Sequence, residues 1–187
     1  LGASFLPAEP IMRAGQIYRP ASGRHGAVAA AEPHAASAGL DVLKAGGNAV
    51  DSAVTVGFCL AVTLPRAGNI GGGGFLLYHG ADAEETFALD YRETAPANAH
   101  RDMFLNEDGE VAADRSRNSP LASGVPGTVA GLLEAHRRFG TLPLHQLIEP
   151  AIRLARDGFP VHEALLEQLR KVESSDRFNP VARRTYL

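Results

Sequence analysis

The sequence is poor in the residues that build several common kinds of site. Its single cysteine, Cys59, can form neither an internal disulfide nor a cysteine-based zinc site. Cys59 lies in an apolar run, which predicts a small buried hydrophobic side chain. The seven histidines are scattered, and none pairs with a second ligand at the spacing that metal sites use. We therefore expect no metal site and no bound cofactor.

Long hydrophobic runs and an excess of one charge are also missing. The longest apolar stretch runs from Ala53 to Leu64 and is interrupted by two threonines. A membrane-spanning helix needs about 20 apolar residues, so this stretch is predicted to lie in a protein core. The 18 basic and 21 acidic residues give a net charge of -3, which argues against a nucleic acid or a membrane surface as partner.

Two nucleotide- and nucleophile-binding motifs are absent as well. The glycine run Gly71–Gly74 follows a predicted helix and precedes a predicted strand, whereas phosphate-binding loops have the reverse order. The run therefore either allows close packing of a helix end and a strand start, or forms a wall of a substrate site. No Gly-x-Ser-x-Gly elbow occurs, and Pro126 spoils the nearest approach to one.

The chain of 187 residues is long enough for one domain with a hydrophobic core, and 45% of its residues are apolar. Residues 1–24 hold three prolines and no periodic pattern, which predicts an extended arm. Residues 25–187 are predicted to form part of one domain. His25–Ala30 is predicted as a short buried strand.

Two helices should follow this strand. The first begins at Pro33 and ends at Gly46, with three residues expected on one buried face: Ala36, Leu40 and Leu43. The second covers about 49–63, with Asn48 as its N-cap. It is apolar nearly all round, which is typical of a buried helix.

A hairpin and three further helices complete the prediction. In the second hairpin strand Phe87, Leu89 and Tyr91 share one face, while Ala88, Asp90 and Arg92 share the other. Residues 97–122 are expected to be irregular. The helices are predicted after Gly127, with Val129, Leu132, Leu133, His136 and Phe139 on one side, from Pro143 to Gly158, and over His162–Arg170. This order indicates an α+β protein, and two or three strands predict a sheet completed by another polypeptide or segment.

Arg92 is the candidate binding residue. It ends a predicted strand close to the glycine run, and its planar guanidinium matches a carboxylate in shape and charge. From the residues alone, a structural ion pair with Asp90 or Glu93 is the other interpretation.

Five segments of the sequence resemble the gamma-glutamyltranspeptidase family, in the order of the family's large subunit. They lie between about His25 and Arg170, and they are Asp41–Asp51, Asn69–Phe75, Asp90–Pro96, Gly124–Gly131 and Pro150–Pro160. The resemblance implies an N-terminal-nucleophile hydrolase fold, an αββα sandwich to which this chain supplies helices and a few strands. It also implies that Arg92 binds the α-carboxylate of a γ-glutamyl donor such as glutathione.

The same resemblance places the chemistry on another polypeptide. In this family a precursor cuts itself, and the new N-terminal threonine of the small subunit is the nucleophile. No residue of this chain matches that threonine, so we expect a small subunit as partner, and no catalytic residue within residues 1–187. Water, an amino acid or a peptide would accept the glutamyl group. The resemblance also implies a periplasmic or secreted protein and a chain that is incomplete at its carboxyl end.

Two alternatives remain open at this point. A relative on the same scaffold can act on another acyl group, as the cephalosporin and glutaryl acylases and the poly-γ-glutamate-cleaving enzymes do. The chain can instead belong to a non-catalytic binding or assembly protein that keeps the scaffold without the nucleophile.

Overall fold

The computed structural model describes residues 22–81, 84–112, 114–173 and 180–186. Most of the predicted arm, residues 1–24, lies outside the described residues. The elements in chain order are α1 (Pro33–Lys44), α2 (Ala49–Thr63), β1 (Phe75–His79), β2 (Thr86–Asp90), α3 (Arg115–Asn118), α4 (Thr128–Phe139), α5 (Leu144–Asp157), α6 (Glu163–Glu173) and α7 (Pro180–Tyr186). Helix α2 packs against α1, α4 and α5 and is the centre of the core.

The two strands form one antiparallel hairpin, with Phe75 opposite Asp90 and His79 opposite Thr86. Among the described residues the sheet has these two strands only. Helices and a small antiparallel sheet confirm the predicted α+β class. No helix in the described part of the chain is long and apolar enough to cross a membrane.

Helix α2 begins and ends where the sequence predicts. The Asn48 side chain accepts hydrogen bonds from the backbone N–H groups of Val50 and Asp51, and the Asp51 carboxylate accepts one from the Asn48 N–H. This reciprocal capping box satisfies donors that a helix start otherwise leaves unpaired.

Asp51 also joins α2 to the loop between α4 and α5. Its fully buried carboxylate accepts hydrogen bonds from the Thr141 N–H at 3.0 Å and the Thr141 hydroxyl at 2.6 Å, and a longer one from the Leu142 N–H. The Asn48 amide donates to the Phe139 carbonyl at 2.6 Å. Two cap residues therefore fix the end of α4 against the start of α2.

The helix faces differ from the prediction by small residues. In α1 the buried positions are Ala35, Gly39 and Val42, whereas Ala36, Leu40 and Leu43 are only half-buried. A Cβ at Gly39 would lie 2.5 Å from Val56 Cγ2 on α2. The two helices approach through a glycine and an alanine, which a search for large apolar side chains does not detect.

Helix α4 shows the same effect. Of its predicted stripe, Leu132 is buried and His136 and Phe139 are half-buried, but Val129 and Leu133 are exposed. Gly131 and Ala135 are buried in their place, because this helix also meets its neighbours through its smallest residues.

Two further predictions need correction. His25–Ala30 is neither a strand nor buried, because no strand among the described residues lies beside it to pair with it. Residues 97–122 are not wholly irregular, since they contain α3 and a short 3₁₀ turn at Pro120–Ala122. Helix α5, by contrast, follows the prediction: it continues through Pro150 and ends at Gly158, whose φ of 77° suits glycine.

The hairpin has one covered and one uncovered face. Tyr78 and Phe87 turn inward and meet the Phe139 ring of α4 at centroid distances of 4.5 and 5.1 Å. Phe75 and Leu77 turn outward and remain 64% and 76% exposed. Cys59 is fully buried as predicted, and burial raises the pKa of its thiol to about 12, so it is not a nucleophile near neutral pH.

Candidate functional site

Arg92 lies two residues beyond the end of β2. The predicted alternation of the second strand continues through it: Tyr91 is half-buried, while Asp90 and Arg92 are exposed. The Arg92 backbone N–H donates to Asp90 Oδ1 at 3.0 Å. A carboxylate two residues back therefore fixes the backbone from which the guanidinium projects.

The Arg92 segment is held between two other segments of the chain. The Tyr91 N–H donates to the Gly74 carbonyl at 3.0 Å, which extends the hairpin ladder by one pair. On the other side Thr94 and Val125 exchange two backbone hydrogen bonds, of 2.9 and 3.3 Å. Arg92 thus sits on a backbone that is supported before and after it.

The two supporting segments also bond to each other. The Gly72 carbonyl accepts hydrogen bonds from the N–H groups of Gly127 and Thr128, at 2.8 and 2.9 Å, at the start of α4. The segment 123–127, which only superficially resembled a nucleophile elbow, is therefore a structural strap that joins the glycine run to residues 91–94.

The glycine run has a steric reason at its third position. A Cβ at Gly73 would lie 2.6 Å from the Tyr91 carbonyl oxygen and 2.8 Å from Arg92 Cα. Real Cβ atoms do not approach so closely, so only glycine fits there. Close packing, the first of the two predicted roles, therefore applies at Gly73. At Gly71 a Cβ would meet only Asn69 Oδ1, at 3.5 Å.

The Arg92 guanidinium is not used in an internal ion pair. Within the described ranges, no carboxylate lies within 4.0 Å of it to form a salt bridge. Asp90 instead uses its carboxylate for the Arg92 backbone N–H. The structural ion pair suggested by the neighbouring acids is thus not observed, and the guanidinium fork is exposed to an outside ligand.

Arg92 stands at the end of an apolar surface. Directly opposite residues of an antiparallel pair share a face, so Phe75 lies beside Asp90, and Leu77 lies beside Ala88. This outer hairpin face carries the two exposed apolar side chains described above and then the Asp90–Arg92 turn. Burial raises the pKa of the Tyr91 phenol on the opposite face, so this ring stays neutral.

No other chemistry competes with Arg92 in this region. Across the described residues, no group of three or more His, Cys, Asp or Glu side chains could hold a metal ion. The nearest titratable neighbours, Asp90 and Glu93, are both exposed. The arrangement can bind an anion, and it offers no nucleophile.

Comparison with known proteins decides the family. The family model for gamma-glutamyltranspeptidase matches residues 35–187, which is most of the chain. The chain belongs to the gamma-glutamyltranspeptidase family. The resemblance carried by the five sequence segments is thereby confirmed, and the match extends beyond Arg170 to the last residue.

Relatives of known sequence and structure agree with this assignment. The glutathione hydrolase proenzyme of Escherichia coli K12 is 48% identical over 170 residues, which are 90% of this chain and 29% of that protein. The crystal structure of Helicobacter pylori gamma-glutamyltranspeptidase superposes with a TM-score of 0.83 at 42% identity, covering 89% of this chain and 47% of that one. The N-terminal-nucleophile hydrolase fold predicted from the resemblance is confirmed.

One structural neighbour has a different named activity. Cephalosporin acylase from Bacillus halodurans superposes with a TM-score of 0.69 at 29% identity and covers 89% of this chain and 31% of that one. This chain spans less than a third of the E. coli proenzyme and of the acylase, and about half of the H. pylori chain.

The sequence prediction named Arg92 but missed the residues packed behind it. Gly127 and Gly131 lie one turn apart on α4, and both face Tyr91. Glycines at i and i+4 lie on one helix face, so their spacing already indicated a surface against which another backbone could pack.

Proposed function

We propose that this chain is part of the large subunit of a γ-glutamyl transferase and hydrolase, and that Arg92 holds the α-carboxylate of the donor. One observation carries the proposal: a guanidinium without an ion-pair partner among the described residues stands on a backbone supported by two other segments. A bidentate fork on a fixed backbone suits the recognition of a planar carboxylate. The family membership of the chain supports the choice of a γ-glutamyl donor.

The proposed reaction leaves Arg92 chemically unchanged. A threonine at the amino terminus of the small subunit attacks the γ-amide carbonyl of a donor such as glutathione. The C–N bond breaks, the amine leaves with a proton, and a γ-glutamyl ester remains on the threonine oxygen. Water then releases glutamate, or an amino acid or peptide takes the glutamyl group. Arg92 contributes by holding the far end of the donor so that the amide meets the nucleophile.

The outer hairpin face supports the proposal of a small subunit as partner. Phe75 and Leu77 are large apolar side chains at 64% and 76% exposure, and a two-stranded sheet is seldom stable by itself. Strands or loops of the small subunit would cover this face and exclude water from the neighbouring guanidinium. Lower local polarity strengthens the attraction between guanidinium and carboxylate.

The compartment belongs to the proposal as well. We expect a periplasmic or secreted enzyme, as the family resemblance implies. Fractionation of the source cells, with detection of this chain by antibody, tests this expectation.

A second candidate, an acylase, is favoured by the match to the cephalosporin acylase. A glutaryl group differs from a γ-glutamyl group only by lacking the α-amine, so Arg92 could bind its carboxylate equally well. The two candidates are separated by the kcat/KM values of γ-glutamyl and glutaryl anilides. We expect the full-length enzyme to prefer the γ-glutamyl anilide; preference for the glutaryl anilide would favour the acylase.

The nucleophile prediction is tested with the full-length protein and with the 187-residue chain alone. The full-length protein should hydrolyse a γ-glutamyl anilide and yield two polypeptides, the smaller of which begins with threonine. The 187-residue chain alone should show no turnover, because no nucleophile lies in it. Mass spectrometry and amino-terminal sequencing of all co-purifying polypeptides give the processing result.

Three outcomes would contradict this account. Turnover by the 187-residue chain alone would mean that the nucleophile lies within it. A full-length protein that is processed but inactive on γ-glutamyl donors would exclude the proposed substrate. A full-length protein with neither processing nor turnover would favour the non-catalytic assembly protein.

A further inference from the structure

Tyr91, the residue before Arg92, is enclosed by glycines from two segments. The Tyr91 ring lies against Gly74, where an added Cβ would be 3.0 Å from Cε2. On the other side, a Cβ at Gly131 would overlap the Cβ, Cγ and Cδ1 atoms of Tyr91, all well inside the 3.0 Å limit that real Cβ atoms keep. The ring therefore has almost no room to move between the glycine run and α4.

The backbone of the same residue is equally confined. A Cβ at Gly127 would overlap the Tyr91 carbonyl carbon and oxygen and lie 3.4 Å from the Arg92 carbonyl oxygen. Gly73 approaches the Tyr91 carbonyl and Arg92 Cα from the opposite side. The peptide that leads into Arg92 thus passes between two glycine backbones, and a methyl group on either would displace it.

We propose that Gly127 and Gly131, at the start of α4, are positioning residues that set where the Arg92 guanidinium meets the donor. They touch no substrate; they act by fixing Tyr91 and, through it, the Arg92 backbone. A bidentate bond depends on direction as well as distance, and a misplacement of about 1 Å can cost about a hundredfold in rate. The inference rests on the proposed role of Arg92 and adds a helix that controls it.

The test compares two anilide donors in the full-length enzyme. The γ-glutamyl anilide carries the α-carboxylate, and the 4-aminobutyryl anilide lacks it. The ratio of their kcat/KM values measures how well the enzyme uses the carboxylate, and it is insensitive to a general loss of active enzyme. We expect Gly131→Ala to lower this ratio at least about tenfold, mainly through a higher KM for the γ-glutamyl donor.

Gly39→Ala is the matched control. It is the same substitution at another buried helical glycine, where the added Cβ would crowd Val56 Cγ2 at 2.5 Å and Ser52 Oγ at 2.8 Å. We expect it to lower the thermal unfolding temperature but leave the donor ratio unchanged. A ratio that falls equally in both variants would reduce the effect of Gly131→Ala to general destabilisation and overturn the inference.

Arg92→Ala separates failure of this inference from failure of the proposed function. If Arg92→Ala leaves the ratio unchanged, Arg92 does not bind the carboxylate and both proposals fail. If Arg92→Ala lowers the ratio and Gly131→Ala does not, only the positioning role fails. Should Gly131→Ala not fold, Tyr91→Ala tests the same contact by removing the ring: a lower ratio supports the inference, and a wild-type ratio overturns it.

Discussion

Replacing Arg92 with alanine in the full-length enzyme should weaken binding of the γ-glutamyl donor by about 2–5 kcal/mol, the range for removing one member of a desolvated charge pair. At about 1.4 kcal/mol per factor of ten, kcat/KM for the γ-glutamyl anilide should fall about 30-fold to several thousandfold. Turnover of the 4-aminobutyryl anilide should change little, because that donor has no carboxylate for Arg92 to hold. Steady-state kinetics on both donors measure the effect.

Two further variants make the result specific. Arg92→Lys keeps the charge but loses the planar fork, so it should lie between the wild type and Arg92→Ala. Arg101→Ala removes a guanidinium that is 96% exposed and lies 3.9 Å from its nearest carboxylate, Asp102, so it should leave both donors unaffected. Unchanged KM and kcat in Arg92→Ala would remove Arg92 from the site.

Replacing Asp51 with alanine should cause the largest loss of stability. The substitution removes the acceptor for the Asn48 N–H, the Thr141 N–H and the Thr141 hydroxyl at the junction of α2 with the α4–α5 loop. Losing an N-cap interaction and leaving buried donors unpaired together cost about 2–4 kcal/mol. Thermal or urea unfolding of the full-length protein measures this cost.

Asp41→Ala serves as the control, since Asp41 is an acid in α1 that pairs with Lys44 at the surface, where both side chains are more than 60% exposed. Surface pairs of this kind contribute little, so the unfolding transition should stay close to that of the wild type. An equal loss in both variants would show that burial and hydrogen bonding of Asp51 are not the cause.

The contribution of Asp51 should also depend on pH. Burial opposes its ionisation, but the hydrogen bonds from Thr141, Asn48 and Leu142 outweigh burial and hold the pKa of the Asp51 carboxyl below its usual value of 3.8. The stability it provides is therefore complete above about pH 4 and is lost as pH falls toward the lower native pKa. The difference in unfolding free energy between wild type and Asp51→Asn should shrink below pH 4. A difference that stays constant from pH 7 to pH 3 would contradict this explanation.

The parts of the fold that could be predicted have signals in adjacent residues. Asn48 and Asp51 stand three residues apart before an apolar run, and α2 begins there with both caps in place. The alternation from Phe87 to Arg92 gave the faces of β2 correctly. The resemblance of five short segments gave the family and the fold class.

The parts that could not be predicted depend on contacts between distant segments. His25–Ala30 has the composition of a strand, but a strand exists only beside another one. The faces of α1 and α4 were misplaced because Gly39 and Gly131 bury themselves by being small, and a hydrophobic period does not count glycine. The bond from Asp51 to Thr141 spans 90 positions, and nothing local announces it.

Arg92 illustrates both situations. Its position at a strand end and its face were visible in the sequence, whereas the use of the Asp90 carboxylate was not. Because that carboxylate accepts the Arg92 backbone N–H at 3.0 Å, it supports the arginine instead of neutralising it. The acidic neighbour that suggested an ion pair is therefore part of the support for a binding residue.

The most direct measurement is a crystal structure of the full-length enzyme with glutamate bound. Our account predicts both terminal nitrogens of the Arg92 guanidinium within hydrogen-bonding distance, about 2.7–2.9 Å, of the two α-carboxylate oxygens. Glutamate bound with its α-carboxylate on other residues, while the Arg92 side chain points into bulk solvent or pairs with Asp90, would contradict it.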